Sequence, residues 1–302
     1  MRALDLSVRR RVLGLAAGEH RAAALGYGTE LAQVRPYEPG DDVRRIDWNV
    51  TARTRIPHVR VHVAERALDT WLVLDTSPSM AFGTADRRKA DVSEGVAVAV
   101  SHLATRRGNR LGLITFGEPK PTTIPSRSGR LAHLGLLATI KRDVTEAEIG
   151  ATNLEDALRR TGRIARRRGL VVIVSDFRGP LGSHTAWRRP LLQLAGRHDV
   201  LAVEVRDPRE LELPDVGDLT LADPETGRQL RVDTASTRLR ERFRAAAAAE
   251  RAEVAALFRK AGVRHLVLTT EGDWLRPLAG FFREERLRAR KGAPLPTVGA
   301  TA

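Results

Sequence analysis

The chain has 302 residues, a formal net charge of +14 and no cysteine. That length suits one large α/β domain with an appendage, and the missing cysteine excludes disulfides, thiolate metal sites and a cysteine nucleophile. No apolar run is long enough to cross a bilayer, and the first residues lack the apolar core of a signal segment, so a soluble, cytoplasmic protein is expected.

The excess charge points first toward nucleic acid. Yet only 4% of residues are aromatic, which leaves few platforms for stacking on single strands. The basic clusters Arg106-Arg107, Arg166-Arg167-Arg168 and Lys260 also fall where helices are expected to end, and positive charge there complements the helix dipole. A generic basic surface, attractive to an acidic partner, is the expectation.

Residues 1–66 read as an arm. A short amphipathic helix (Leu4, Leu6, Val8, Val12, Leu13) leads to VRPYEPGDDVRRIDWNVTAR, dense in turn formers. Asp41, Asp42, Arg44 and Asp47 are expected to cap turns and form ion pairs, and Tyr37 and Trp48 to be buried anchors. Val59, Val61 and Val63 alternate with Arg60 and His62 as in a half-exposed strand. His58 and His62 would lie roughly 13 Å apart on that strand, too far for one ion.

From residue 67 to 289 strands and helices alternate, as in a mostly parallel sheet covered on both faces. Strands are expected at Leu72–Leu74, Leu111–Phe116, Leu170–Val174, Val200–Val205 and Val263–Leu268, with a short edge strand at Thr122–Ile124 between prolines. Helices are expected near Arg87–Arg107, Leu131–Ile140, after Thr152, at Ala186–Ala195, at Thr237–Ala261 and at the close. An inserted β-hairpin is expected over Asp218–Asp233, and residues 290–302 form a basic tail expected to be disordered.

Within this frame, LVLDTSPSM is the informative stretch. Leu72–Leu74 has the apolar character of a strand buried on both faces, and Pro78 stops the ladder, so Asp75, Ser77 and Ser79 are presented together at a strand's carboxyl end. Open α/β sheets bind their ligands there. Oxygen donors without histidine or cysteine suit a hard divalent cation, Mg²⁺ or Mn²⁺. A turn-capping role for the two serines is the structural alternative. Two more oxygen donors fall where the same crevice would form: Thr152 in GATN and Asp176 in VSDF.

Asp75, Ser77, Ser79, Thr152 and Asp176 together resemble the metal-ion-dependent adhesion site of von Willebrand factor A-like domains. The resemblance implies a doubly wound fold of that type. It also implies a metal touched by the hydroxyls of Ser77, Ser79 and, in one state, Thr152, with the aspartates acting directly or through water. The arm is similar to the signature of domain-of-unknown-function family 58 through Arg35-Pro36-Tyr37, Pro39-Gly40-Asp41-Asp42, Arg44, Ile46-Asp47-Trp48 and Thr51-Ala52-Arg53. Ala22–Ala24 and Leu31 depart from that pattern.

The expected function is a non-enzymatic, metal-dependent protein-binding module, in which a partner's Asp or Glu completes the cation's shell. Family resemblance implies a MoxR-type AAA+ ATPase as partner and a chaperone-like role in complex maturation. Two rival readings remain. A strand-end aspartate phosphatase would need a second acid where Ser77 stands. A basic nucleic-acid binder would lose affinity steeply with salt and ignore chelators.

Overall fold

The computed structural model describes residues 30–63, 69–105, 109–117, 121–128, 135, 138, 153–178, 184–223 and 227–291. The N-terminal amphipathic segment, most of the helix expected over Leu131–Ile140, Thr152 and residues 292–302 lie outside them. The chain divides into two compact units, an arm within Leu13–Ala67 and a main unit from Leu68 onward.

In the arm, β1 (Glu30–Pro36) is followed by a 3₁₀ turn (Val43–Arg45), α1 (Trp48–Thr54) and β2 (His58–Val63). β1 and β2 pair antiparallel, with Pro36 opposite His58. The acids act as local caps: Asp42 accepts from the Arg44 amide at 3.0 Å, and Asp47 from the amides of Asn49 and Val50. Asp41 holds the Arg35 guanidinium through two bonds of 2.8 Å. Trp48, expected to be a buried anchor, is instead 70% exposed. It opens a seven-residue helix that has no buried residue, so there is no core for its ring to enter.

The main unit begins with β3 (Asp69–Asp75), a 3₁₀ turn (Pro78–Ala81) and α2 (Lys89–Thr105), then β4 (Arg110–Phe116) and β5 (Thr123–Arg127). It continues through α3 (Leu154–Ile164), β6 (Gly169–Ser175), α4 (His184–Ala195), β7 (Asp199–Arg206) and a 3₁₀ turn at Pro208–Glu210. A β8–β9 hairpin (Asp218–Ala222, Gln229–Asp233), α5 (Thr237–Lys260), β10 (Arg264–Thr269) and α6 (Leu275–Lys291) complete it. The last helix runs through Arg290, where the sequence suggested that a tail begins.

The central sheet has the order β10–β7–β6–β3–β4–β5, parallel except for β5. β5 continues through Pro125, which sequence placed at its border. An edge position tolerates the missing amide, and the pairing with β4 shifts register between Leu111 and Leu113.

Strand alternation divides the core. Leu72, Leu74, Val172 and Val174 pack with Val92, Val96 and Trp274 on one face. Val73, Val171 and Ile173 pack with Leu158, Trp187 and Phe258 on the other. Each fully buried branched side chain contributes about 1.5–3 kcal/mol, so the central strands, β3 and β6 among them, are firmly held. From β3 the chain moves outward to β4 on one side and later returns to β6 on the other. That reversal opens a crevice at the carboxyl ends of β3 and β6. Among the described residues, no helix is long and apolar enough to cross a membrane.

Candidate metal centre at the switch point

Asp75 is the last residue of β3, and Asp176 follows the last residue of the adjacent β6. Pro78 starts the 3₁₀ turn that folds Ser77 and Ser79 back over the strand ends. The four residues join in one hydrogen-bonded chain. The Ser77 amide donates to Asp75 Oδ1 at 3.0 Å, the Ser77 and Ser79 hydroxyls lie 3.1 Å apart, and Ser79 donates to Asp176 Oδ2 at 2.9 Å. All four are buried, Ser79 being the most open at 8%. The structure therefore brings together four of the five residues singled out by sequence, and the fifth, Thr152, lies outside the described residues.

Two backbone features hold this geometry. Phe177, directly after Asp176, adopts a left-handed conformation with φ of 52°, unfavourable for a bulky residue. Its ring is fixed edge-on against Phe258, with centroids 4.9 Å apart, which anchors the turn. Gly117, at the end of β4, has φ of +93°, and a Cβ there would stand 2.6 Å from the Ser77 amide nitrogen. Gly117→Ala is expected to push Ser77 out of register. The effect should be a stability loss of about 1–3 kcal/mol in urea titrations and, under the reading proposed below, weakened cation binding.

The two aspartates differ electrostatically. Burial, with the nearby charge of Asp176, pushes the Asp75 carboxyl up to about 7. Its side-chain partners are neutral donors, the Ser175 hydroxyl and the Ser77 amide. Burial also opposes ionisation of Asp176, but the Lys89 ammonium overrides it and brings that carboxyl down to about 2. A buried carboxylate with only neutral donors around it, beside two hydroxyls, fits a small hard cation. A cleft of about 10 Å³ touches Asp75, Ser77, Met80 and Arg88, room for about one water-sized sphere. A larger cleft of about 420 Å³ lies elsewhere, lined by Arg188, Leu192, Glu253, Leu257 and Lys260. It gathers no set of oxygen ligands comparable to the one at the strand ends.

Several residues of this region escaped sequence reasoning. Lys89 bonds both Asp176 and Glu210 at 2.6 Å. Arg251 donates to the Asp176 carbonyl at 2.9 Å and to Glu204 at 2.6 Å. Asp207 binds the Thr84 amide at 2.8 Å and the Thr270 hydroxyl at 2.7 Å, tying the loop after the serine turn to the end of β10. Signals for three of them were present. Lys89 is a cation near a helix N-terminus, against the dipole. Arg251 shares its spacing with Ala247, Val254 and Phe258, the buried stripe of α5. Glu204 interrupts an otherwise apolar strand.

The chain belongs to the family described as "Protein of unknown function DUF58", whose model matches residues 33–253. An uncharacterized protein of Mycobacterium tuberculosis is 44% identical over 295 residues, covering 97% of this chain and 90% of that protein. Among solved structures, the conserved hypothetical protein BatB from Bacteroides thetaiotaomicron is similar at a TM-score of 0.46 and 12% identity, covering 75% of this chain and 100% of that one. The SpRpn10 VWA domain is similar at 0.42 and 11%, covering 69% and 92%. At such scores the overlaps carry no weight of their own. The sheet order and helical layers, with the switch point between β3 and β6, make the main unit von Willebrand factor A-like.

Proposed function

We propose that the main unit is a non-enzymatic protein-binding module whose docking site is a hard divalent cation, Mg²⁺ or Mn²⁺, held at the carboxyl ends of β3 and β6. The observation that carries this reading is Asp75: a fully enclosed carboxyl with neutral donors around it and two serine hydroxyls alongside. Asp75, Ser77 and Ser79 would hold the ion, with Thr152 and Asp176 completing the protein's share. Bound there, the cation supplies a positive point that can accept a carboxylate from another protein. With the charge of Asp176 already met by Lys89 at 2.6 Å, Asp75 and neutral hydroxyls leave such an ion under-neutralised, which favours an external Asp or Glu as the remaining ligand. The family resemblance extends the proposal to a MoxR-type AAA+ ATPase as partner, with a chaperone-like role in complex maturation in the cytoplasm.

Affinity capture from the native cell tests the reading. Partner recovery is expected with Mg²⁺ present, and to be lost both with EDTA and in the Asp75→Ala protein. A partner captured equally under all three conditions would sink the metal-dependent reading. A partner released by salt but indifferent to chelator would instead indicate nucleic acid or a purely electrostatic contact.

A further inference from the structure

Lys89 is fully buried, at 0% exposure. Burial works to strip its charge, but the carboxylates of Asp176 and Glu210 more than compensate and keep it an ammonium. Asp176 Oδ2 is thereby shared between the ammonium at 2.6 Å and the Ser79 hydroxyl at 2.9 Å. The other oxygen, Oδ1, accepts the Arg178 amide at 3.0 Å. Both oxygens of Asp176 are thus engaged, and its charge is neutralised from within the fold.

The two acids held by Lys89 are not equally dependent on it. Glu210 has Arg178 at 3.2 Å, Arg251 at 3.7 Å and the Asp207 amide at 3.1 Å. For Asp176, Lys89 is the one side-chain cation at ion-pair distance among the described residues. Taking the ammonium away would leave Glu210 compensated and Asp176 free to offer its charge to a metal.

We propose that Lys89 makes cation binding depend on the partner: by neutralising Asp176 it leaves Asp75, among the described residues of the site, as the one carboxylate without a side-chain cation, so a carboxylate from the docked protein must supply the missing negative charge. The inference rests on the metal site proposed above and specifies how that site is regulated. Affinity of oxygen-ligand sites for hard cations rises with the number of charged ligands. The free protein therefore holds its cation weakly and retains it when an acidic ligand arrives. Lys89 is a positioning residue in this scheme and does not touch the metal.

The test uses the full chain and Mn²⁺ alone, with no partner, comparing wild type with Lys89→Met by calorimetry and by thermal melts. Methionine keeps most of the side chain's volume and removes its charge. Lys89→Met is expected to bind Mn²⁺ about tenfold or more tightly than wild type, because a second carboxylate reaches the ion. Its melting temperature should fall without metal, since Asp176 loses its counter-charge, and recover when Mn²⁺ is added. Wild type with no measurable binding beside a variant that binds also supports the proposal. A wild type that binds and a variant that binds no more tightly overturns it while leaving the metal site intact. If neither binds, the metal site itself falls and the proposal with it. A variant that stays unfolded with and without Mn²⁺ assigns Lys89 a purely structural role and overturns the proposal.

Discussion

Glu204→Ala is expected to lower the stability of the main unit by about 3–5 kcal/mol, the range for breaking a buried charge network by removing one partner. The carboxylate lies in the middle of β7 and receives both Arg206 contacts at 2.8 Å, Arg251 at 2.6 Å and the His265 ring at 2.9 Å. Without it, the buried Arg251 keeps the Asp176 carbonyl and a distant Glu210. In a unit of this size the loss corresponds to a fall in Tm of about 10 °C, and equilibrium urea titration at pH 7 measures it directly.

The same group has a pH signature. Burial opposes its ionisation, but hydrogen bonds from His265 and Arg206 and the charge of Arg251 prevail and hold it at about 2, against an ordinary 4.5. A depressed folded-state value means that its stabilisation is fully present above about pH 4.5 and is lost as pH falls from there through about 2. Glu204→Ala should therefore flatten the acid limb of the stability curve as well as lower its plateau. An unaltered acid limb would show that Glu204 is not a principal source of the acid sensitivity.

The legibility of this molecule in its sequence follows physical lines. β3 and β6 announce themselves because strands buried on both faces must be apolar throughout, and their terminal acids stand out against that run. The convergence of Asp75, Ser77, Ser79 and Asp176 was legible because strand ends at a switch point are placed by topology rather than by local turn chemistry. β1 was not legible: ELAQVRP carries no alternation, and its pairing with β2 comes from a partner some thirty residues away. Trp48 was misread because aromatic residues are anchors only where a core exists to receive them. The chain from Lys89 through Glu210 and Arg251 to Glu204 was hidden for a third reason. Lys89, Arg251 and Glu204 each stand out within their own element, but what each of them does lies in partners up to 121 positions away.

That chain also shows how the site is poised. From the interior toward the crevice, Glu204 has Arg251 and Arg206, and Glu210 and Asp176 share Lys89. At Asp75 the partners are neutral donors, and burial there raises the carboxyl.

Asp75→Asn is therefore expected to stabilise the metal-free protein, while removing any stabilisation by Mg²⁺. Burial and the charge of Asp176 hold the folded-state value of Asp75 at about 7, above its ordinary 3.8. With a raised value in the folded state, the favourable contribution is fully present below about pH 3.8 and is lost as pH rises through about 7. In EDTA the Asn protein should match wild type near pH 4 and exceed it near pH 8 by on the order of 2 kcal/mol or more. The substitution remains compatible with its surroundings. The Ser77 amide can donate to the new carbonyl, and the Ser175 hydroxyl, which also accepts from the Phe177 amide, can turn to accept from the new amino group. With Mg²⁺ at pH 8 the gap narrows to the extent that the partner-free wild type binds the ion, because a cation that binds only the folded wild type stabilises it as its concentration exceeds Kd, whereas the Asn protein gains nothing. Urea titrations of both proteins at the two pH values, with EDTA and with Mg²⁺, measure the gap and its narrowing. An Asn protein less stable than wild type at pH 8 in EDTA would mean that the Asp75 carboxylate is already compensated without metal, and the main electrostatic reason for placing a cation beside it would be gone.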